Sequence, residues 1–343
     1  MISTASSKDR HSRNGTHLFA WALTWLVLLG MVVWGVLAIH YSNLPPLGRT
    51  IGSALFALAV LLVLTRVRPW RWAAALCLAG FAAVLLWWLA IPPSNDRAWQ
   101  PDVAVLPFAT FAGDLVTVHN IRNFDYRSET DFTPAYYDKT FDVRKLESVD
   151  FVASYWMGPA IAHTFLSFGF EGGDHLAVSI ETRKEQGEEY SMVKGFFKQY
   201  ELFYVVADER DVIRLRTNYR KDPPEDVYLF RVRGSLEEGR RLFLEYMQKI
   251  DSLRQEPEFY NTLTTNCTIA MWENARTDSS HVPFSWKLLL SGYVPEYLYE
   301  TGRLNTSLPF QELKALSHIN TRAVSADNDP EFSRLIRAGL PGF

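Results

Sequence analysis

The first quarter of the chain constrains the fold most. Leu18 to His40 reads LFAWALTWLVLLGMVVWGVLAIH, with no charge before its last residue. As a helix it is long enough to cross a bilayer core of about 30 Å. A second apolar run covers Leu47 to Thr65. Its uncharged centre, Ile51 to Thr65, is short, so Arg49 is expected to snorkel to the interface. A third covers Trp72 to Pro92, with Trp87 and Trp88 near its far end, where interfacial aromatics concentrate. The pattern predicts three transmembrane helices over about 18–40, 47–65 and 72–92, preceded by a short cytoplasmic tail, 1–17. A cleaved signal peptide does not fit, because the first run is too long and two more come after it.

Charge gives the orientation. Lys8, Arg10 and Arg13 precede the first run, and Arg66, Arg68 and Arg71 lie between the second and third; the loop after the first run holds only Arg49. The positive-inside rule places the N-terminus and the 66–71 loop in the cytoplasm, and three spans then place the chain beyond Pro92 outside. A two-span alternative, with a re-entrant second run, reverses that side. Nearly all acidic residues lie from Asp96 onward, so the chain divides between two solvents. The net charge of -3 supplies no basic field and argues against a nucleic-acid partner.

Two cysteines are present. Cys77 falls within the third run, so Cys267 is the only thiol of the soluble region and no disulfide can form there. Its setting is EFYNTLTTNCTIAMWENAR. A helix is expected to start at Cys267, capped by Thr265 or Asn266. A cysteine in a first helical turn feels the positive end of the dipole, which favours thiolate. The competing reading is a buried cysteine acting as a small hydrophobe. A thiolate nucleophile needs a base, and the candidates are His119, His163, His175, His281 and His318. His163 sits in a strand expected over Ile161 to Phe170, and a Gly172-Gly173-Asp174 turn leads into a second strand, His175 to Arg183. Glu181 on that strand is placed to orient an imidazole on the first; alternatively it pairs with Arg183 or Lys184.

Four segments, in this order, carry a resemblance. They are HTFLSFGF with His163, LAVSIETRKEQGEEY with Glu181 and Arg183, YELFYVVADERDVIRLR from Tyr200 to Arg216, and FYNTLTTNCT from Phe259 to Thr268. From about His119 to Arg276 the chain resembles the family of the Lnb N-terminal periplasmic domain. The resemblance implies an α+β fold: a permuted papain-like (NlpC-like) domain with an antiparallel sheet, behind the three-helix anchor, with His preceding Cys in the chain. It implies a catalytic region of 119–302, a linker of 93–118 and a tail of 303–343. It further implies a lipoprotein N-acyltransferase of the bacterial inner membrane, its catalytic domain on the periplasmic side. The acyl donor would be a phospholipid and the acceptor the N-terminal amine of a diacylglyceryl lipoprotein. Cys267 would be the nucleophile, His163 the base and acid, and Glu181 the orienting residue. Asn266, Tyr260 and Arg183 are weaker candidates for holding the oxyanion or the substrate. Neither a cofactor nor a metal is implied.

Other classes find little support. No phosphate-loop glycine pattern, zinc-ligand spacing or GxSxG elbow occurs. The remaining rivals are a cell-wall cysteine peptidase or amidase, a phospholipase or thioesterase using the same pair, and a non-catalytic envelope protein. Elsewhere, strands are expected at Asp114–Val118, Tyr200–Val206, Val212–Arg216 and Val227–Val232. Asp208, Glu209 and Asp211 read as a solvated turn. Ser235 and Glu238 form a capping-box pattern opening a helix that runs to about Leu253. Trp286 to Tyr299 reads as core, or as an amphipathic segment near lipid.

Overall fold

The structure is a computed structural model that describes residues 7–274 and 282–343. His281 therefore lies outside the described residues. The chain forms two compact units, Met1–Pro92 with Phe197–Gln199, and Pro93–Phe196 with Tyr200–Phe343.

The first unit contains three helices, α1 (Ser7–His40), α2 (Pro46–Arg66) and α3 (Trp70–Leu89). Trp21–His40, Pro46–Arg66 and Trp70–Leu89 are each long and apolar enough to cross a membrane. Leu28, Val60 and Cys77 meet between them. Gly35 permits the close approach of α1 to α2: a Cβ there would come 2.8 Å from the Phe56 ring. Lys198 ends α3, donating to the carbonyls of Trp88, Leu89 and Ile91 at 3.1–3.2 Å. An ammonium there meets the negative end of the helix dipole.

The second unit is a mixed α+β domain. Its strands are β1 (Phe108–Ala112), β2 (Leu115–Arg122), β3 (Asp125–Tyr126), β4 (Phe132–Thr133), β5 (Tyr136–Asp142), β6 (Leu146–Tyr155), β7 (Ala162–Phe170), β8 (Asp174–Arg183), β9 (Glu201–Ala207) and β10 (Asp226–Arg231). The main sheet runs β1-β2-β9-β8-β7-β6-β10, with β5 beside β2. It is antiparallel except at a single β2–β9 contact, Arg122↔Ala207. The helices are α4 (Glu209–Arg214), α5 (Leu236–Gln255), α6 (Cys267–Asn274), α7 (Val294–Glu300), α8 (Phe310–Leu316), α9 (Asn320–Ser325) and α10 (Phe332–Leu335).

Strand alternation sorts side chains onto two covered faces. On one, Leu166, Phe168, Val178 and Tyr204 pack with Phe243, Tyr246 and Ile250 of α5 and Ile269 of α6. On the other, Val152, Phe165, Ala177 and Val205 pack with Val212 and Ile213 of α4, Ala323 of α9 and Phe332 and Ile336 around α10. The β7–β8 hairpin turns at Gly172 and Gly173, both at positive φ, as the Gly-Gly-Asp pattern requires. Helix α5 starts with both hydrogen bonds of the Ser235–Glu238 capping box.

Two expectations are corrected. Val212 to Arg216 is helical, because Asp208 caps α4 by accepting from the Arg210 amide. The acidic cluster is not a solvated turn: Glu209 and Asp211 are fully buried. Asp211 accepts from the Arg122 guanidinium and the Phe124 amide, while Glu209 pairs with Arg337 at 2.6 Å. Buried carboxylates need such partners, and Arg337, far along the chain, could not be matched to them from local pattern. The segment 303–343 is part of the second unit, with Leu313, Ile319 and Phe332 buried in it.

Candidate active site

The site lies where β7 and β8 separate. Their ladder ends at Phe165↔Ser179. Continuing that register sets His163 opposite Glu181, on one face. Freed from the ladder, the two side chains meet: His163 Nε2 lies 3.0 Å from Glu181 Oε1 and 2.6 Å from Ser179 Oγ. Ser179 in turn donates to Glu181 at 2.8 Å. With its hydroxyl proton spent on Glu181, Ser179 accepts from the imidazole, so Nε2 carries the hydrogen.

Cys267 is brought to the same place by α6. Two asparagines build the approach. The Asn261 side chain accepts from the amides of Leu263 and Thr264, folding the loop. Asn266 is the N-cap: its Oδ1 accepts from the Thr268 and Ile269 amides at 3.0 and 2.8 Å, and its Nδ2 donates to the Thr262 carbonyl. The loop is pinned from outside by Thr262, whose hydroxyl donates to the Met192 carbonyl. Gly195 leaves room for that hydroxyl, since a Cβ there would collide with it.

Cys267 opens the first turn, close enough to the His163 imidazole for the two groups to shift each other's pKa. With Nε2 turned to Glu181 and Ser179, Nδ1 is the ring nitrogen left to exchange a proton with the thiol. Burial pushes the thiol up, but the His163 hydrogen bond and charge, with donation from Thr164, bring it down to about 7. Burial pulls His163 down, and the Glu181 carboxylate, with the Cys267 hydrogen bond, outweighs it and raises the imidazole to about 9. Burial would raise Glu181, yet the imidazolium and Arg216 hold it well below the usual carboxylate range. The arrangement favours a thiolate–imidazolium pair near neutral pH.

Arg216 locks the far side. It is 4% exposed and contacts Glu181 and Glu225 at 3.0 Å each. Glu225 accepts from Ser154, the β6 residue directly across from His163. Sequence reading missed Ser179, Thr164 and Arg216. Ser179 was findable, two residues from Glu181 on one strand face. Arg216 was hidden by the misread strand.

The other sequence candidates separate. Tyr260 is 7% exposed and senses the charges of Cys267 and Tyr190. Burial raises its pKa, so it remains a proton donor. The Asn266 amide is committed to the cap. Arg183 lies elsewhere, bonded to the carbonyls of Val103 and Ala104 and stacked on Trp99. His119 pairs with Asp138, and His318 with Asp226, while His175 bonds the Gly173 carbonyl. Among the described residues, no group of three or more His, Cys, Asp or Glu side chains is arranged to hold a metal ion.

Residues 132–292 match the family model described as the Lnb N-terminal periplasmic domain, slightly less than half of the chain. The match takes in β4 to β10, α4 to α6 and the whole constellation around Cys267. No significant match is found among curated proteins or among solved structures.

Proposed function

Because residues 132–292 carry an Lnb N-terminal periplasmic domain behind three membrane-type helices, we propose that this membrane protein is a cysteine acyltransferase. It takes an acyl chain from a phospholipid and passes it to the N-terminal amine of a diacylglyceryl lipoprotein. The observation that carries the reading is the Cys267–His163–Glu181 relay, with the thiol at a helix start and lowered to about 7. A family resemblance alone fixes no substrate.

The chemistry runs in two halves. Cys267 thiolate attacks the ester carbonyl, forming a C–S bond and a tetrahedral oxyanion. With the Thr268 and Ile269 amides held by the Asn266 cap, the Cys267 amide and the Tyr260 hydroxyl are the donors offered to that oxygen, and each such donor is worth about 3–4 kcal/mol. Collapse breaks the C–O bond, and His163 gives its Nδ1 proton to the departing glycerol alkoxide. A thioester and a lysophospholipid result. The acceptor amine then attacks the thioester; His163 takes the amine proton, the C–S bond breaks and the thiolate returns. Glu181, braced by Arg216 and Ser179, holds the ring in place through both halves. The multi-pass anchor in the inner membrane would keep the enzyme in the bilayer that holds both substrates.

The test is direct. Purified full-length protein is incubated with phospholipid vesicles, and the Cys267 peptide is examined by mass spectrometry. An acyl adduct is expected on wild type and none on the Cys267→Ala variant. Adding a diacylglyceryl lipopeptide should then yield N-acyl lipopeptide. Free fatty acid without that product would identify a lipase, and absence of any adduct would sink the acyl-enzyme scheme.

A further inference from the structure

A slot crosses the first face of the sheet. Strands β6 and β7 form its floor, α5 one wall, and α6 with α7 the other. It encloses about 220 Å³. That exceeds the engineered apolar cavity of roughly 150 Å³ that admits benzene. Well-packed interiors do not keep such space without use. The floor lining extends from Leu146 to Phe151, a run of about 17 Å at strand rise. This is the reach of a long hydrocarbon chain and well beyond a single side chain.

Its ends differ. The outer end opens at Arg233–Leu236, all exposed. The inner end closes on Thr268, which is 1% exposed. Thr268 Oγ1 stands 3.8 Å from Cys267 Sγ and 3.3 Å from Thr164 Oγ1. One side chain therefore separates the slot from the nucleophile. Between the ends the lining is mainly apolar, with Leu166, Leu242, Met271 and Trp272 on the space and Glu147 and Ser148 the polar exceptions on the floor. Trp272 and Tyr297 also line it, but their polar tips donate to the chain's own carbonyls, of Val282 and Pro283. A peptide main chain would find its N–H and C=O groups unanswered along such walls, whereas a hydrocarbon brings none.

We propose that this slot seats the acyl chain handled by Cys267, with the carboxyl end at Thr268 and the tail running toward the start of α5. The assignment rests on the acyl-transfer reading above. It makes the slot, and not the relay, the element that selects chain length.

The test uses the full-length Cys267→Ala protein in lipid nanodiscs doped with a phosphatidylcholine bearing a mid-chain aliphatic diazirine. After irradiation, labelled peptides are mapped by mass spectrometry. Labelling is expected on the slot walls around Leu242, Met271 and Trp272. It should be lost when Leu242→Trp, or Met271→Trp from the opposite wall, is added, in protein whose thermal melt is unchanged. Label confined to the three N-terminal helices and to exposed residues such as Trp286 and Leu289 would overturn the proposal. So would slot labelling that neither tryptophan diminishes. Because the variant has no nucleophile, labelling reads seating alone. Slot labelling together with no adduct on wild-type Cys267 would remove the acyl-transfer chemistry and leave the slot as a lipid site.

Discussion

At the residue scale the site works by exchanging charge stabilisation between three groups. Cys267 is lowered to about 7 and His163 raised to about 9, so the ion pair is populated between those limits. Iodoacetamide alkylation of Cys267 should rise with pH to a plateau, half-maximal near pH 7. His163→Ala should move that midpoint up toward the ordinary thiol range of about 8.5. Glu181→Gln removes the anion that sustains the imidazolium. His163 then titrates lower, and the alkaline limb of the proposed acyl transfer should shift to lower pH. An alkylation midpoint indifferent to both changes would contradict the relay. The sequence made Cys267, His163 and Glu181 legible because each stood in a distinctive local context: a polar turn before a helix, and two facing strands of one hairpin. Arg216 was illegible because its importance arises from two carboxylates, Glu181 and Glu225, that only tertiary structure gathers.

At the element scale, α6 is the part that presents the thiol. It has eight residues, too few to be stable alone. Its start depends on Asn266, which satisfies two first-turn amides. Asn266→Ala should cost about 1 kcal/mol, read by chemical denaturation, and should slow Cys267 alkylation. Asn266→Ser keeps a capping oxygen and should restore both. If Asn266 instead donates to the oxyanion, serine would recover stability without recovering acyl transfer. The capping box of α5 and the Gly-Gly-Asp hairpin were readable beforehand because their chemistry is local. The segment Val212–Arg216 was not, since its apolar alternation suits a strand and only the Asp208 cap and burial against α9 and α10 decide for helix.

At the scale of the whole molecule, segment 303–343 is structural. Arg337 bridges Asp150 and Glu209 at 2.6–2.8 Å, and all three are buried. Arg337→Met strips buried Glu209 of its guanidinium and leaves buried Asp150 only Arg231, and should destabilise by about 3–5 kcal/mol at neutral pH. The native bridge holds Glu209 at about 2, so its contribution is complete above the unfolded carboxylate pKa. It is lost as pH falls from about 4.3 toward 2. The gap between wild type and variant in denaturant melts should therefore narrow in acid. The same segment touches the site indirectly. Asn320 accepts from the Val227 amide and donates to the Glu225 carbonyl, fixing the strand start that holds Glu225 against Arg216. The order of translation gives this tie a consequence in time. A ribosome delivers the membrane helices first, then His163 and Glu181, then Cys267, and Asn320 and Arg337 only afterwards. A nascent chain thus carries its thiol, with Arg216 and Glu225 already made, before the Asn320 tie that fixes Glu225 exists. That tie closes late in synthesis, after the three membrane-type helices have been made.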